Sequence, residues 1–153
     1  MPAASPFAAP GPKEEVESGS RFTPRFDSNG LIACITCDAV TGEVLMFAWM
    51  NAEALQKTIE TGEAHYWSRS RRELWRKGAT SGMVQKIVEM RTDCDQDTML
   101  LKVRIEGPSA ACHMGYRSCF YRSVPLGEKA GRNTTLHFED TDPVFDPDEV
   151  YRR

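Results

Sequence analysis

Residues 84–106, VQKIVEMRTDCDQDTMLLKVRIE, decide the fold. Two runs rich in apolar and β-favouring residues, Val84 to Thr92 and Thr98 to Glu106, flank Asp93-Cys94-Asp95-Gln96-Asp97, so the segment reads as strand, acidic motif, strand. The flanks differ in phase. Val88 and Met90 sit at even positions, whereas Met99, Leu101, Val103 and Ile105 sit at odd ones. One flat strand cannot put both sets on a single buried face, so the chain is expected to turn or bulge at the motif. In an extended chain Asp93, Asp95 and Asp97 would point one way and Cys94 the other. Either way the acids gather at a strand end.

Upstream, Leu31 to Thr36 and Glu43 to Trp49 are β-favouring runs separated by the turn formers of Asp38-Ala39-Val40-Thr41-Gly42, which predicts a hairpin. Asn51 offers a cap, Met50 and Leu55 stand at staple positions, Glu53 and Lys57 are four apart, and Gly62 can close the far end. A helix over Ala52 to Thr61 follows, with Leu55 and Ile59 toward the core. Ala64 to Arg69 is strand-like and runs into a loop, residues 69–82, with five cations, two glycines and several hydroxyls. Such a loop can present cations and backbone N–H groups to phosphate. The competing reading is a solvated turn with Trp75 tucked into the core. The fold class expected is α+β, a mainly antiparallel β-sheet with one or two short helices in a single domain.

Length and composition agree with this. The chain has 153 residues, 41% of them hydrophobic and 27% charged, enough for one domain with a real core. The formal charge of -3 gives no global pull toward nucleic acid, so any anionic ligand needs a local basic cluster. No apolar run approaches the roughly 18 residues of a membrane span. Residues 1–22, rich in Pro, Ala and Ser, fit neither a secretory signal nor a transit peptide and are expected to be a disordered tail on a cytoplasmic protein. The folded domain is expected over 23–125, followed by a partly mobile extension over 126–153.

Five cysteines without an export signal argue for reduced thiols. Cys94, Cys112 and Cys119 supply three thiolates, the number that an open zinc site keeps when its fourth position is left for water. Cys34 and Cys37 have knuckle spacing, but in an apolar strand positions three apart face opposite ways, and both read as small buried hydrophobes. The acids lack the glycine and the later glutamate of a calcium loop, so a compact magnesium site competes with a solvated acidic turn. His113 adjoins Cys112 and could shuttle a proton or serve as an extra ligand; His65 and His137 are weaker candidates.

The runs Tyr66-Trp67-Ser68-Arg69-Ser70-Arg71, Leu74-Trp75-Arg76-Lys77-Gly78, Thr80-Ser81-Gly82, Asp93 to Asp97, and Cys112-His113 through Ser118-Cys119-Phe120 closely resemble the phosphoribosyl-AMP cyclohydrolase family of histidine biosynthesis. The resemblance spans about Phe26 to Arg122. It implies hydrolytic opening of the adenine ring of phosphoribosyl-AMP, giving the formimino carboxamide ribonucleotide. It also implies a homodimer, with zinc held by Cys94 of one subunit and Cys112 and Cys119 of the other, and magnesium on Asp93, Asp95 and Asp97. His113 is the candidate proton shuttle, and Arg69, Arg71, Lys77 and Ser81 are candidate phosphate contacts. A zinc deaminase shares the activated-water logic, but its Pro-Cys-x-x-Cys signature is missing. A zinc module binding nucleic acid through the basic loop is a different class of answer, and the negative charge counts against it.

Overall fold

The computed structural model describes residues 5–107 and 109–151. A six-stranded sheet is built from β1 (Ile32–Asp38), β2 (Val44–Met50), β3 (His65–Ser68), β4 (Glu73–Arg76), β5 (Gln85–Thr92) and β6 (Thr98–Ile105), in the order β4-β3-β2-β1-β6-β5. Every pairing is antiparallel except that of β1 with β6. The sheet is therefore mixed, because β5 and β6 return on the far side of β1 after the excursion through β3 and β4. It also curls. Glu63, just ahead of β3, bridges to Lys86 of β5, with Ala64 N–H donating to the Gln85 carbonyl at 3.0 Å.

The helix α2 (Ala52–Thr61) has the expected bounds: Asn51 Oδ1 accepts from the Ala54 N–H at 2.8 Å, and Gly62 ends it in the left-handed region. One expected face is corrected. Leu55 is buried, but Ile59 is 47% exposed and Thr58 takes the inward place, its hydroxyl donating to the Ala54 carbonyl and accepting from the His65 N–H. Among the described residues three short helices are present rather than one or two, the others being α1 (Lys13–Ser18) and α3 (Pro147–Tyr151). The strand β4 lies inside the stretch expected to be loop.

Ile32, Cys34, Leu45, Met46, Met50, Leu55, Tyr66, Met99, Leu101 and Val103 form the core. Full burial of each large apolar side chain contributes about 1.5–3 kcal/mol. The buried tyrosine is satisfied: Tyr66 donates to Gln85 Oε1 at 2.6 Å and bonds Thr36 Oγ1 at 2.7 Å. The expected turn at the acidic motif is present, joining the antiparallel β5 and β6, and a second irregularity lies upstream of it. The register slips between Ile87 and Glu89, which leaves Val88 53% exposed rather than inward, while Met90 packs on the core.

The opposite sheet face is less covered. Ala33 pairs with Trp49 and Ile35 with Phe47 and Leu100, while Trp49 pairs with Trp67. Phe47 is 47% exposed and the others are half-buried, which gives a broad apolar face at the surface. Among the described residues no helix is long and apolar enough to cross a membrane.

Candidate active site

The strands β2 and β3 touch in register only at Trp49 and Trp67 and splay apart beyond that point. A cleft of about 630 Å³ opens between them. Met46, Phe47 and Ala48 of β2 form one wall, Ser68, Arg71, Trp75 and Lys77 the other, and Ala111, His113 and Cys119 complete the lining. The basic loop is folded over this space by a tight turn at Gly78, where φ is +92° and a Cβ would lie 2.4 Å from the Val84 nitrogen. No other residue fits there.

The segment 111–119 is tied to the sheet. Cys119 N–H donates to the Leu45 carbonyl at 2.7 Å, Ser118 Oγ donates to the Val44 carbonyl at 2.8 Å, and Arg117 bridges Asp38 and Glu43 at 2.6 and 2.7 Å. Two backbone bonds, Ala111 N–H to the Arg117 carbonyl and Cys112 N–H to the Tyr116 carbonyl, close the loop on itself. Cys112 and Cys119 are thereby brought into hydrogen-bond contact, both as free thiols. The hydrogen bond from Cys119 pulls Cys112 down to about 6, helped by the Met114 N–H and by the charges of His113 and Lys77. Cys119 is pushed up by the same bond, so the pair carries one thiolate readily.

Lys77 is 7% exposed, and burial lowers its pKa against the pull of the two thiols. Its Nζ donates to the Ala111 carbonyl at 2.8 Å and lies 5.0 Å over the Trp75 ring. Of the expected phosphate contacts, Arg71, Lys77 and Ser81 line the cleft, as does His113. Arg69 is not among the cleft residues; its guanidinium stacks over Trp49 at 5.1 Å.

The acids form a turn rather than an extended run. Asp93 Oδ1 accepts from the N–H groups of Asp97 and Thr98 at 3.0 and 3.1 Å, and Gln96 takes a left-handed φ of 57°. A carboxylate oxygen from each of Asp93, Asp95 and Asp97 lies within 4.8 Å of the other two. Burial, and then the hydrogen bonds with Asp97 and Asp95, push Asp93 up, while the bond with Asp93 pulls Asp97 down. Crowded carboxylates are a site whose mutual repulsion a cation would relieve. Cys94 is exposed on this turn, and no group of three metal-ligating side chains among the described residues unites it with Cys112 and Cys119.

Two contributions were not legible from residue type. Trp75 forms a cleft wall rather than only filling the core, and Tyr151 of α3 also lines the cleft. The C-terminal stretch reaches it because the Val144 N–H donates to the Gly115 carbonyl at 2.7 Å, at a glycine whose Cβ would lie 2.4 Å from the Phe145 oxygen.

Residues 46–121 match the family model described as phosphoribosyl-AMP cyclohydrolase. Proteins of that name include one from Nitrobacter winogradskyi, 58% identical over 138 residues, which covers 90% of this chain and 92% of that protein. The one from Bradyrhizobium diazoefficiens is 57% identical over 139 residues, 91% of this chain and 96% of its own. That of Rhodopseudomonas palustris is 53% identical over 152 residues, 99% of this chain and 100% of its own.

Proposed function

The chain belongs to the phosphoribosyl-AMP cyclohydrolase family, and from that membership we propose that it opens the adenine ring of phosphoribosyl-AMP in histidine biosynthesis, using zinc and magnesium. One observation carries this: Cys119, the partner of Cys112, lines the same cleft as the basic loop. The donor chemistry fits both ions, since thiolates suit zinc and clustered carboxylates suit magnesium. Cys112 and Cys119, with Cys94 of a second copy, would hold the zinc; Asp93, Asp95 and Asp97 would hold the magnesium. When bound, zinc supplies a water molecule acidified toward neutrality.

The chain's own side chains supply the rest. His113, on the cleft wall beside Cys112, takes a proton from the attacking water. The water oxygen bonds to the ring carbon that lies beside the ribosylated nitrogen and carries the exocyclic nitrogen. The bond between that carbon and the ribosylated nitrogen breaks, and that nitrogen receives the proton. The second water proton goes to the exocyclic nitrogen, leaving a carboxamide. Arg71 and Ser81, which line the cleft with residues 78–80, would hold phosphate. The Lys77 ammonium is committed to the Ala111 carbonyl and faces the thiols, where it favours their ionised form.

A second copy completes the site. The apolar face of Phe47, Trp49 and Trp67 is what it would cover. Thr98, at the end of the acidic turn, pairs with Ala33 on this face, and Phe47 reaches the cleft from it. A two-fold pairing across it would carry the turn of one copy toward the cleft of the other, with Arg69 at the join.

The test is ring opening by chelator-stripped protein with zinc and magnesium restored separately and together. Turnover is expected to require zinc and to rise with magnesium. Folded, metal-replete protein with no ring opening would overturn the assignment and favour a zinc-binding module. The His113→Ala variant should lose about 10²–10⁴-fold in turnover, the usual contribution of a general acid–base group, with its zinc content unchanged. Loss of the zinc instead would make His113 a ligand.

A further inference from the structure

Gln96 stands in the middle of the acidic turn yet turns away from the carboxylates. It is 5% exposed, between the half-buried Asp95 and the exposed Asp97. Its backbone sits in the left-handed region at φ 57°, a conformation that a side chain without special contacts avoids. The contacts are present. Oε1 accepts from the Thr23 N–H at 2.8 Å, and Nε2 donates to the Val16 and Arg21 carbonyls at 3.0 and 3.2 Å. The Gln96 carbonyl accepts from the Arg25 N–H at 2.7 Å.

All four partners belong to residues 16–25, some seventy residues earlier in the chain. This segment is itself fastened. Val16 of α1 is buried, Phe7 and Phe22 meet edge to face at 5.4 Å, and both pack with Phe26 against the core. Composition makes the N-terminal stretch a tail, but in the structure its end frames the acidic turn.

We propose that Gln96 is a positioning residue for the cation on Asp93, Asp95 and Asp97, and that residues 16–25 are the frame through which it acts; this rests on the magnesium reading above. Three carboxylates with oxygens within 4.8 Å repel one another, and a free turn carrying them would spread. Asp93 is fixed by the Asp97 and Thr98 N–H groups and Asp97 accepts from the Thr98 hydroxyl at 3.2 Å, but the backbone that sets Asp95 and Asp97 runs through Gln96. Holding Gln96 from behind keeps the oxygens converged before the cation arrives, so less ordering remains to be done on binding.

The test uses the full chain and Mn²⁺ as a paramagnetic probe, with free Mn²⁺ measured by electron paramagnetic resonance. Gln96→Asn keeps an amide and tolerates a left-handed backbone, but it is one methylene too short to reach Thr23 N–H and both carbonyls. It should weaken Mn²⁺ binding about 10-fold, the lower end of what loss of an outer-shell partner costs. The zinc content should not change, and half-saturating magnesium for turnover should rise by the same factor while turnover at saturating magnesium is kept. Val16→Ala loosens the frame without touching the turn and should shift the same constants in the same direction, which keeps the idea testable if Gln96→Asn folds poorly. Native-like Mn²⁺ affinity in the folded variants overturns the frame. Asp95→Asn separates the premise: if it too binds Mn²⁺ like the native protein, the magnesium site itself is wrong.

Discussion

Replacing Cys112 by Ser will empty the zinc site and lower ring opening by ~10³-fold or more, on the footing that water activation supplies several kcal/mol of barrier reduction and about 4 kcal/mol corresponds to that factor. The substitution is nearly isosteric. Cys112 is buried, its sulfur meets Cys119 and accepts from the Met114 N–H at 3.4 Å, and a hydroxyl can occupy the same space and take part in the same hydrogen bonds. What a hydroxyl cannot do is ionise near neutrality, whereas the Cys112 thiol is drawn down to about 6 chiefly by Cys119. The fold should therefore survive while the ligand is lost. Zinc by atomic emission, the rate by absorbance and the far-ultraviolet circular dichroism spectrum together decide the matter. Cys34→Ser is the contrast. That thiol is fully buried in the core and pushed up to about 12 by burial, so its variant should keep the zinc and lose only stability. Zinc retained in Cys112→Ser would mean that the thiol pair is not the site.

The parts of the fold that sequence made legible are those where local chemistry and tertiary packing agree. The helix Ala52–Thr61 carries its own cap at Asn51 and its own stop at Gly62, and its bounds needed nothing from elsewhere. The flanking strands of the acidic motif show their burial directly, through Met99, Leu101 and Val103. Where a residue's role is set from a distance, the signal is missing. The strand β4 is only Glu73–Arg76, set among cations, and it exists because β3 pairs with it from Ser68↔Glu73 to His65↔Arg76. Val88 has the residue type of a core position, and a register slip turns it out. Thr58 rather than Ile59 faces inward because its hydroxyl can satisfy both the Ala54 carbonyl and the His65 N–H.

The candidate site divides in the same way. Thiols, acids and the basic loop announce themselves by residue type and order. Their grouping does not: that Arg71, Lys77 and Ser81 share a cleft with His113, while Arg69 stacks on Trp49, follows from the splaying of β3 away from β2. Tyr151 reaches the cleft from a stretch whose composition suggests only a solvated end. Gln96 reads as an uncharged interruption of an acidic run, and only the fold shows why an amide stands there.

Mixing two inactive variants should restore activity. Within one chain Cys94 sits on the acidic turn, and Cys119 sits on the cleft with Cys112 beside it, with no assembled three-thiol group among the described residues. If each zinc is shared, Cys94→Ser removes the ligand given to the partner's cleft, and Cys112→Ser removes one from its own, so either homodimer is dead. In a mixed dimer the Cys112→Ser chain still offers its Cys94, and the Cys94→Ser chain still holds Cys112 and Cys119. One of the two sites is then intact. Random pairing makes about half the dimers mixed, so unfolding and refolding an equal mixture should recover about a quarter of the native turnover and of the zinc. A site built within one chain predicts a different result, because every chain in the mixture would lack one of its own ligands and no exchange of subunits could supply it. Recovery that needs subunit exchange, and fails when the two proteins are mixed without unfolding, would fix both the dimer and the path of Cys94 across it. No recovery from well-folded mixed dimers would confine the zinc to a single chain, whereas Cys94→Ser protein that is active on its own would remove Cys94 from the site and leave its place to His113 or another group on the cleft wall.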